Sequence, residues 1–372
     1  MLKKIVACLL FLLLAWPVGV QAQELAEEEI VEGRVIEILD SGEREVMEQV
    51  FPYQDLLIEV ERGSLEGSQI EVSNEGGYGG LDLETSNYQE YQLGDQLRIY
   101  SFFDSQNERV FMIDGLVRRS ALLLLAILFI VAVLVIAGKF GLMSLLGLGV
   151  SFLVIVKVLL PMIMAGQSPI LASLLTLLLI IPGTFYLSHG FNAKTHSAVA
   201  ATLVSLLITM LLANYFIQAA HLTGFASEEA GFISVMTAGQ VDVLALLFAG
   251  VMIGALGVLD DISIGQASVV EQLREANPNL KAWPLFWQSM KVGRDHVSSM
   301  INTLILVYAG ASLPLLLLFF DSNKGFIDVI ELEIVAEEIV RTLVSSLGLI
   351  LAVPLTSFLT VFVFKQSTEL GQ

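Results

Sequence analysis

The chain has 372 residues, 55% of them hydrophobic and 15% charged, a mixture too apolar for a soluble protein of this length and typical of a membrane protein. Its formal charge of -19 is uneven: between residues 24 and 114 there are 23 acidic and 5 basic side chains, a surface that repels nucleic acid and anionic lipid. The single cysteine, Cys8, lies in the N-terminal apolar run, which leaves a mature chain without disulfides, thiolate metal sites or a cysteine nucleophile.

Lys3 and Lys4 open the chain, residues 5–16 are apolar, and Val20-Gln21-Ala22 is a small-residue exit. This is the layout of a secretory signal peptide over residues 1–22. Residues 23–115 are therefore expected outside the cytoplasmic membrane. Five stretches there alternate at period two, at 31–39, 55–61, 69–72, 96–103 and 109–113. Turns such as Glu75-Gly76-Gly77 and Leu93-Gly94-Asp95 separate them, and the pattern predicts a small β-domain, an OB-like barrel or a sandwich. Its acids lack the Asp-x-Asp-x-Asp-Gly spacing of a calcium loop.

From residue 116 to 372 the runs are long and apolar, predicting a mainly α, polytopic transmembrane helix bundle. About seven spans are expected, near 120–137, 141–160, 169–187, 197–217, 236–259, 298–320 and 342–364, each close to the ~20 residues that cross a bilayer as helix. With residue 115 outside, Lys139, Lys194, Arg274, Lys281, Lys291, Arg294 and Lys365 fall in the cytoplasm, as does the C-terminus. The outer loops carry Lys324 and Arg341, in keeping with the positive-inside rule, which Arg118 and Arg119 oppose. Lys157 and Asp242 are the charges deepest in the spans, at similar depth; the expectation is either a pair, or a snorkelling lysine and a helix-starting aspartate. Residues 328–341 alternate acidic and apolar side chains and predict an amphipathic helix on the outer face.

Residues 260–297 read as an amphipathic cytoplasmic loop. Asp260 or Asp261 is the expected N-cap of a helix over 262–276, with Ile262, Val269, Val270 and Leu273 on its apolar side and Gln266, Glu271, Gln272 and Glu275 in water. Gly250, Gly254 and Gly257 share a face of the preceding span and permit close helix contact. Trp283, Phe286 and Trp287, beside Lys281 and Lys291, form an interfacial aromatic belt. Asp260 and His296, at the inner ends of consecutive spans, are expected neighbours. Ser298, Ser299, Asn302 and Thr303 open the next span, for bonding neighbouring helices or lining a polar vestibule.

Three stretches carry a resemblance: Val110-Phe111-Met112-Ile113-Asp114 through Arg118, GALGVLDDISIGQASVVEQLREANP at 254–278, and GRDHVSSMINTLILVYAGASLPLLLLF at 293–319. Over nearly the whole mature chain the sequence resembles the YibE/F family of bacterial membrane proteins. The resemblance implies a multi-pass protein with an extracytoplasmic N-terminal domain, and no established reaction.

Histidines 189, 196, 221 and 296 form no His-Glu-x-x-His pair, and no phosphate-binding Gly-x4-Gly-Lys-Ser/Thr loop exists. Gly310-Ala311-Ser312 has the look of an intramembrane serine nucleophile but no histidine within a span to activate it. No catalytic residue, cofactor or metal is expected. The function expected is secondary transport or a channel for a small solute or ion. The alternative is a non-catalytic envelope assembly or accessory protein that binds an envelope partner through its exported domain. Pro161, Pro182, Pro314 and Pro354, which can interrupt spans, favour the first. The candidate functional residues are Lys157, Asp242, Asp260, Asp261, Gln266, Arg294, Asp295, His296 and Asn302.

Overall fold

A computed structural model describes residues 29–46, 49–75, 88–104, 106–320 and 325–369. The expected signal segment and the Gly76-Gly77 turn lie outside them. The chain divides into two compact units, one ending at Ala132 and the other running from Val133 onward.

In the first unit, strands β1 (Glu29–Val46), β2 (Gln49–Arg62), β3 (Gln69–Glu75), β4 (Gln96–Phe103) and β5 (Arg109–Leu116) form one antiparallel sheet in the order β3-β2-β1-β4-β5. Long β1 pairs with β2 along one part and β4 along another, with register shifts that bend it. Gly33 is required at that bend, because a Cβ there would lie 2.5 Å from Ile58 Cγ2 and 2.7 Å from Glu59 O. The edge strands β3 and β5 approach each other. The result is a half-barrel rather than a sandwich, since no second sheet is present among the described residues.

The expected alternation appears as burial. Leu56, Ile58 and Val60 of β2, Ile70 and Val72 of β3, and Leu97 and Ile99 of β4 share one core with Val31, Val35 and Tyr91. Buried Gln54 clamps the Tyr91 backbone, its Nε2 donating to the carbonyl over 3.1 Å and its Oε1 accepting from the N–H over 2.8 Å. On the outside, Arg34 pairs with Glu61 at 2.7 Å and Arg109 with Glu29 at 3.0 Å. The Ser64 hydroxyl and N–H bonding to Glu29, and Arg34 bonding to Glu61, hold both carboxyls below the ordinary glutamate range.

The helical elements are α1 (Arg119–Val154), a π-turn (Ile155–Leu159), α2 (Leu160–Met164), α3 (Pro169–His189), α4 (Ala193–Ala219), α5 (Glu228–Met236), α6 (Val243–Ala276), α7 (Ala282–Ala311), α8 (Leu313–Phe320), α9 (Phe326–Ile330) and α10 (Glu333–Glu369). Among the described residues, five helical stretches are long and apolar enough to cross a membrane, against the seven spans expected from the sequence. The runs at 120–137 and 141–160 fall in the single stretch Arg119–Met164, broken within by Gly138 at φ 55°, ψ -130°, a conformation glycine alone adopts easily. The run at 298–320 is split at Ser312, between α7 and eight-residue α8. Within α7, Arg294, Asp295, His296 and Asn302 dilute its apolar character.

The π-turn has a local cause. Pro161 has no N–H to give the Lys157 carbonyl, and just before it Leu160 N reaches Ile155 O, five residues back, rather than Val156 O. Around a central group of α4, α6 and α10, α3 packs against α4 and α6, and α7 against α6 and α10. Phe185, Leu206, Val251, Met252, Leu256, Leu259, Ala352 and Val353 fill the core.

Candidate functional site

The residues expected to cap and flank the 262–276 helix do otherwise. Helix α6 runs unbroken through Asp260-Asp261, with Leu259, Ile262 and Ser263 around them buried. Neither aspartate is an N-cap. Asp260 sits half-buried at the middle of the 34-residue helix, and Asp261 is exposed. Among the described residues, Asp260 has no hydrogen bond or ion pair.

Gln266, expected in water, is fully buried. Its Nε2 donates to Ser357 Oγ on α10 at 2.7 Å and to Ser289 O on α7 at 3.0 Å. Gly293 makes room for it, since a Cβ there would stand 2.9 Å from Gln266 Oε1. Val270 and Ile262 are buried as expected, and Glu271 pairs with Lys194 of α4 at 2.8 Å. Of the three glycines, Gly254 alone is crowded, a Cβ there standing 2.8 Å from Tyr308 Oη, while Gly250 and Gly257 face open space.

His296 lies against Gly265, about one turn of α6 beyond Asp260. Arg294, Asp295 and Asn302 are exposed on α7 with Ser298, Ser299 and Thr303. Among the described residues these hydroxyls do not bond neighbouring helices; Thr303 donates back to Ser299 O at 3.1 Å. Trp283, Phe286 and Trp287 form the expected aromatic group, with ring centroids 5.2–5.8 Å apart.

Asp242 caps α6, accepting from Ala245 N over 3.3 Å, so the fifth span begins at Val243 rather than near 236. Lys157 occupies the π-turn. Leu159 and Val241, their near neighbours in sequence, share one apolar cluster, which brings the two segments together. The acidic stretch 328–341 is not a separate surface helix. From Glu333 it is the first turns of α10, and the Glu333 carboxylate accepts from Thr223 N, from Thr223 Oγ1 at 2.7 Å and from Gly224 N at 3.2 Å. That latch ties α10 to the loop after α4.

What the sequence reading missed is a set of buried hydroxyls on four helices. Thr202 and Ser205 on α4, Ser263 on α6, Thr356 on α10, and Ser173 on α3 are all buried, each with a hydroxyl that has no hydrogen-bond partner among the described residues. Ser197 Oγ and Thr360 Oγ1 do pair, at 2.9 Å. The spacing of three and four on otherwise apolar helices was the available signal. All these donors and acceptors are oxygen or amide, a set that suits water, polar solutes and hard cations. Among the described residues no group of three His, Cys, Asp or Glu could hold a metal ion.

A half-barrel followed by a bundle of long apolar helices defines a polytopic membrane protein. The family model described as YibE/F-like protein matches residues 125–366, and the chain belongs to that family. Two of the three stretches that carried the resemblance lie within the match; the strand-to-helix junction at 110–118 and the half-barrel precede it. No curated protein and no solved structure matches the chain.

Proposed function

We propose that this YibE/F-like protein lies in a bacterial cytoplasmic membrane, half-barrel outside and C-terminus in the cytoplasm, and that its bundle conducts a small polar solute or ion, as a secondary transporter or channel without enzymatic activity. The observation that carries the reading is the set of unpartnered hydroxyls buried among α3, α4, α6 and α10. A buried hydroxyl without a partner is costly, about 1–3 kcal/mol, and water or a passing solute would relieve it. The orientation draws support from charge. Lys194, Arg274, Lys281, Lys291 and Arg294 lie toward one end of α4, α6 and α7, while Glu228, Glu229, Asp328, Glu333 and Glu338 belong to the opposite ends and their loops.

Cys8 is the only cysteine, so replacing it gives a clean background for T202C, S263C and T356C. Membrane-impermeant maleimide applied to reconstituted full-length protein should label these positions. A bundle in which none of them labels is dry, and then the half-barrel as docking site for an envelope protein partner becomes the better account.

A further inference from the structure

We propose that Asp260 and the hydroxyls of α4 facing it form a binding site for a small monovalent cation, Na+ or H+, at the middle of the bundle; this rests on the transport reading and names its ion. The placement follows from one ion pair and helix geometry. Lys194 on α4 meets Glu271 on α6 at 2.8 Å. These helices run antiparallel, so moving eleven residues forward on α4 and eleven back on α6 returns to nearly the same faces, about three turns and roughly 16 Å deeper. The residues reached are Ser205 and Asp260.

Ser205 is fully buried and its Oγ has no partner among the described residues, so the two side chains share a level without bonding to each other. One turn toward Lys194, the same register brings Thr202 level with Ser263, both fully buried and both with unpartnered hydroxyls. The carboxylate and the Ser205 hydroxyl thus share one level of α4 and α6, with the Thr202 and Ser263 hydroxyls on the level one turn away. Oxygen ligands with a single negative charge match a monovalent cation, whereas a divalent ion would call for more carboxylates. Water alone would satisfy the hydroxyls but would leave the carboxylate charge uncompensated in a span.

Charges that could substitute for the ion are distant or of the wrong sign. Asp261, the neighbour on the same helix, is exposed and negative. Lys194 is three turns away and engaged with Glu271. Between Lys194 and Ala219, α4 carries no other Lys, Arg, Asp or Glu, and α3 carries none. On α10 the nearest is Arg341, paired with Glu338 at 3.1 Å; on α7, His296 stands beside Gly265, while Arg294 and Asp295 are exposed.

The test uses purified full-length protein in nanodiscs and reads the thermal unfolding midpoint. One arm exchanges choline chloride for NaCl at constant pH and ionic strength; the other varies pH without Na+. Wild-type protein should gain a saturable rise in midpoint in one arm, which also tells Na+ from H+. D260N should lose that response while unfolding no earlier than wild type in choline, because it removes an uncompensated charge, and D261N should keep it. S205A should move the half-saturating concentration several-fold. The site is overturned if D260N responds as wild type does, or if wild type responds in neither arm. Should D260N not fold, D260E and S205A provide the same comparison, with a shifted half-saturation expected and an unchanged one fatal. An Asp260-dependent response in a bundle that never labels with maleimide keeps the site and removes transport. Labelling with no such response does the reverse.

Discussion

Gln266 donates to Ser357 Oγ across 2.7 Å while its own Oε1 has no hydrogen-bond partner among the described residues, so one side chain both joins α6 to α10 and stays short of an interaction. Its second bond, to Ser289 O, adds α7. Q266A should loosen all three helices at once, with a loss of about 1–2 kcal/mol, near the upper range for hydrogen bonds between membrane helices. Unfolding of the reconstituted protein by a denaturing detergent measures it. No loss would show the amide to be a passenger.

Gly348 and Thr209 set how closely α10 approaches α4. A Cβ at Gly348 would overlap Thr209 Oγ1 and stand 3.4 Å from its Cβ and Cγ2. G348A should therefore destabilise by about 1–3 kcal/mol through overpacking. T209A removes the overlapping atom, and T209A/G348A should recover part of the loss. A double-mutant cycle showing additive effects would mean that the helices simply part.

The half-barrel was legible because period-two alternation survives folding: the buried residues of β2, β3 and β4 are those the pattern pointed inward. The helix count was less so. A hydropathy window does not register the backbone of Gly138, nor the break at Ser312 that separates α7 from α8. Gln266 was misplaced because Glu271, Gln272 and Glu275 near it suggested a watery face, yet Ser289, Gly293 and Ser357 close over it from helices distant in sequence. For Asp260 the sequence predicts a cap, whereas α6 runs straight through it. The level it shares with Ser205 in the proposed site depends on a register between α4 and α6 that the Lys194–Glu271 ion pair sets.

Acid should weaken the half-barrel through Glu29 and Glu61. Both are held below the ordinary glutamate value of 4.5, the first chiefly by Ser64 and the second chiefly by Arg34. A depressed folded value gives stability that is fully present above 4.5 and lost as pH falls through the folded value. Hydrogen-exchange mass spectrometry of the full-length protein should show the β1 and β2 peptides losing protection in that window, with E29Q/E61Q flattening the acid limb. Both carboxylates are exposed, so the effect should shrink with added salt. An acid limb unchanged in E29Q/E61Q would assign it to other groups.

Asp242 offers a way to separate capping from charge. Its carboxylate accepts from Ala245 N at the start of α6, and Asn caps a helix about as well as Asp. If the cap is its structural task, D242A should cost about 1 kcal/mol and D242N should be close to neutral, because the amide oxygen keeps the bond. A carboxylate that instead balances the Lys157 ammonium gives a different pattern. D242N would then be as damaging as D242A, and K157M/D242N would restore what either change alone removes, since each single change strands a charge. The shared apolar cluster of Leu159 and Val241 makes this cycle feasible, because it joins the segments bearing the two residues. We expect the capping pattern, with D242N retaining near wild-type unfolding in a detergent titration and D242A shifted. Coupling between Lys157 and Asp242 of more than about 1 kcal/mol, large for a polar pair in a membrane, would overturn that expectation and make the carboxylate's charge its reason for being at position 242.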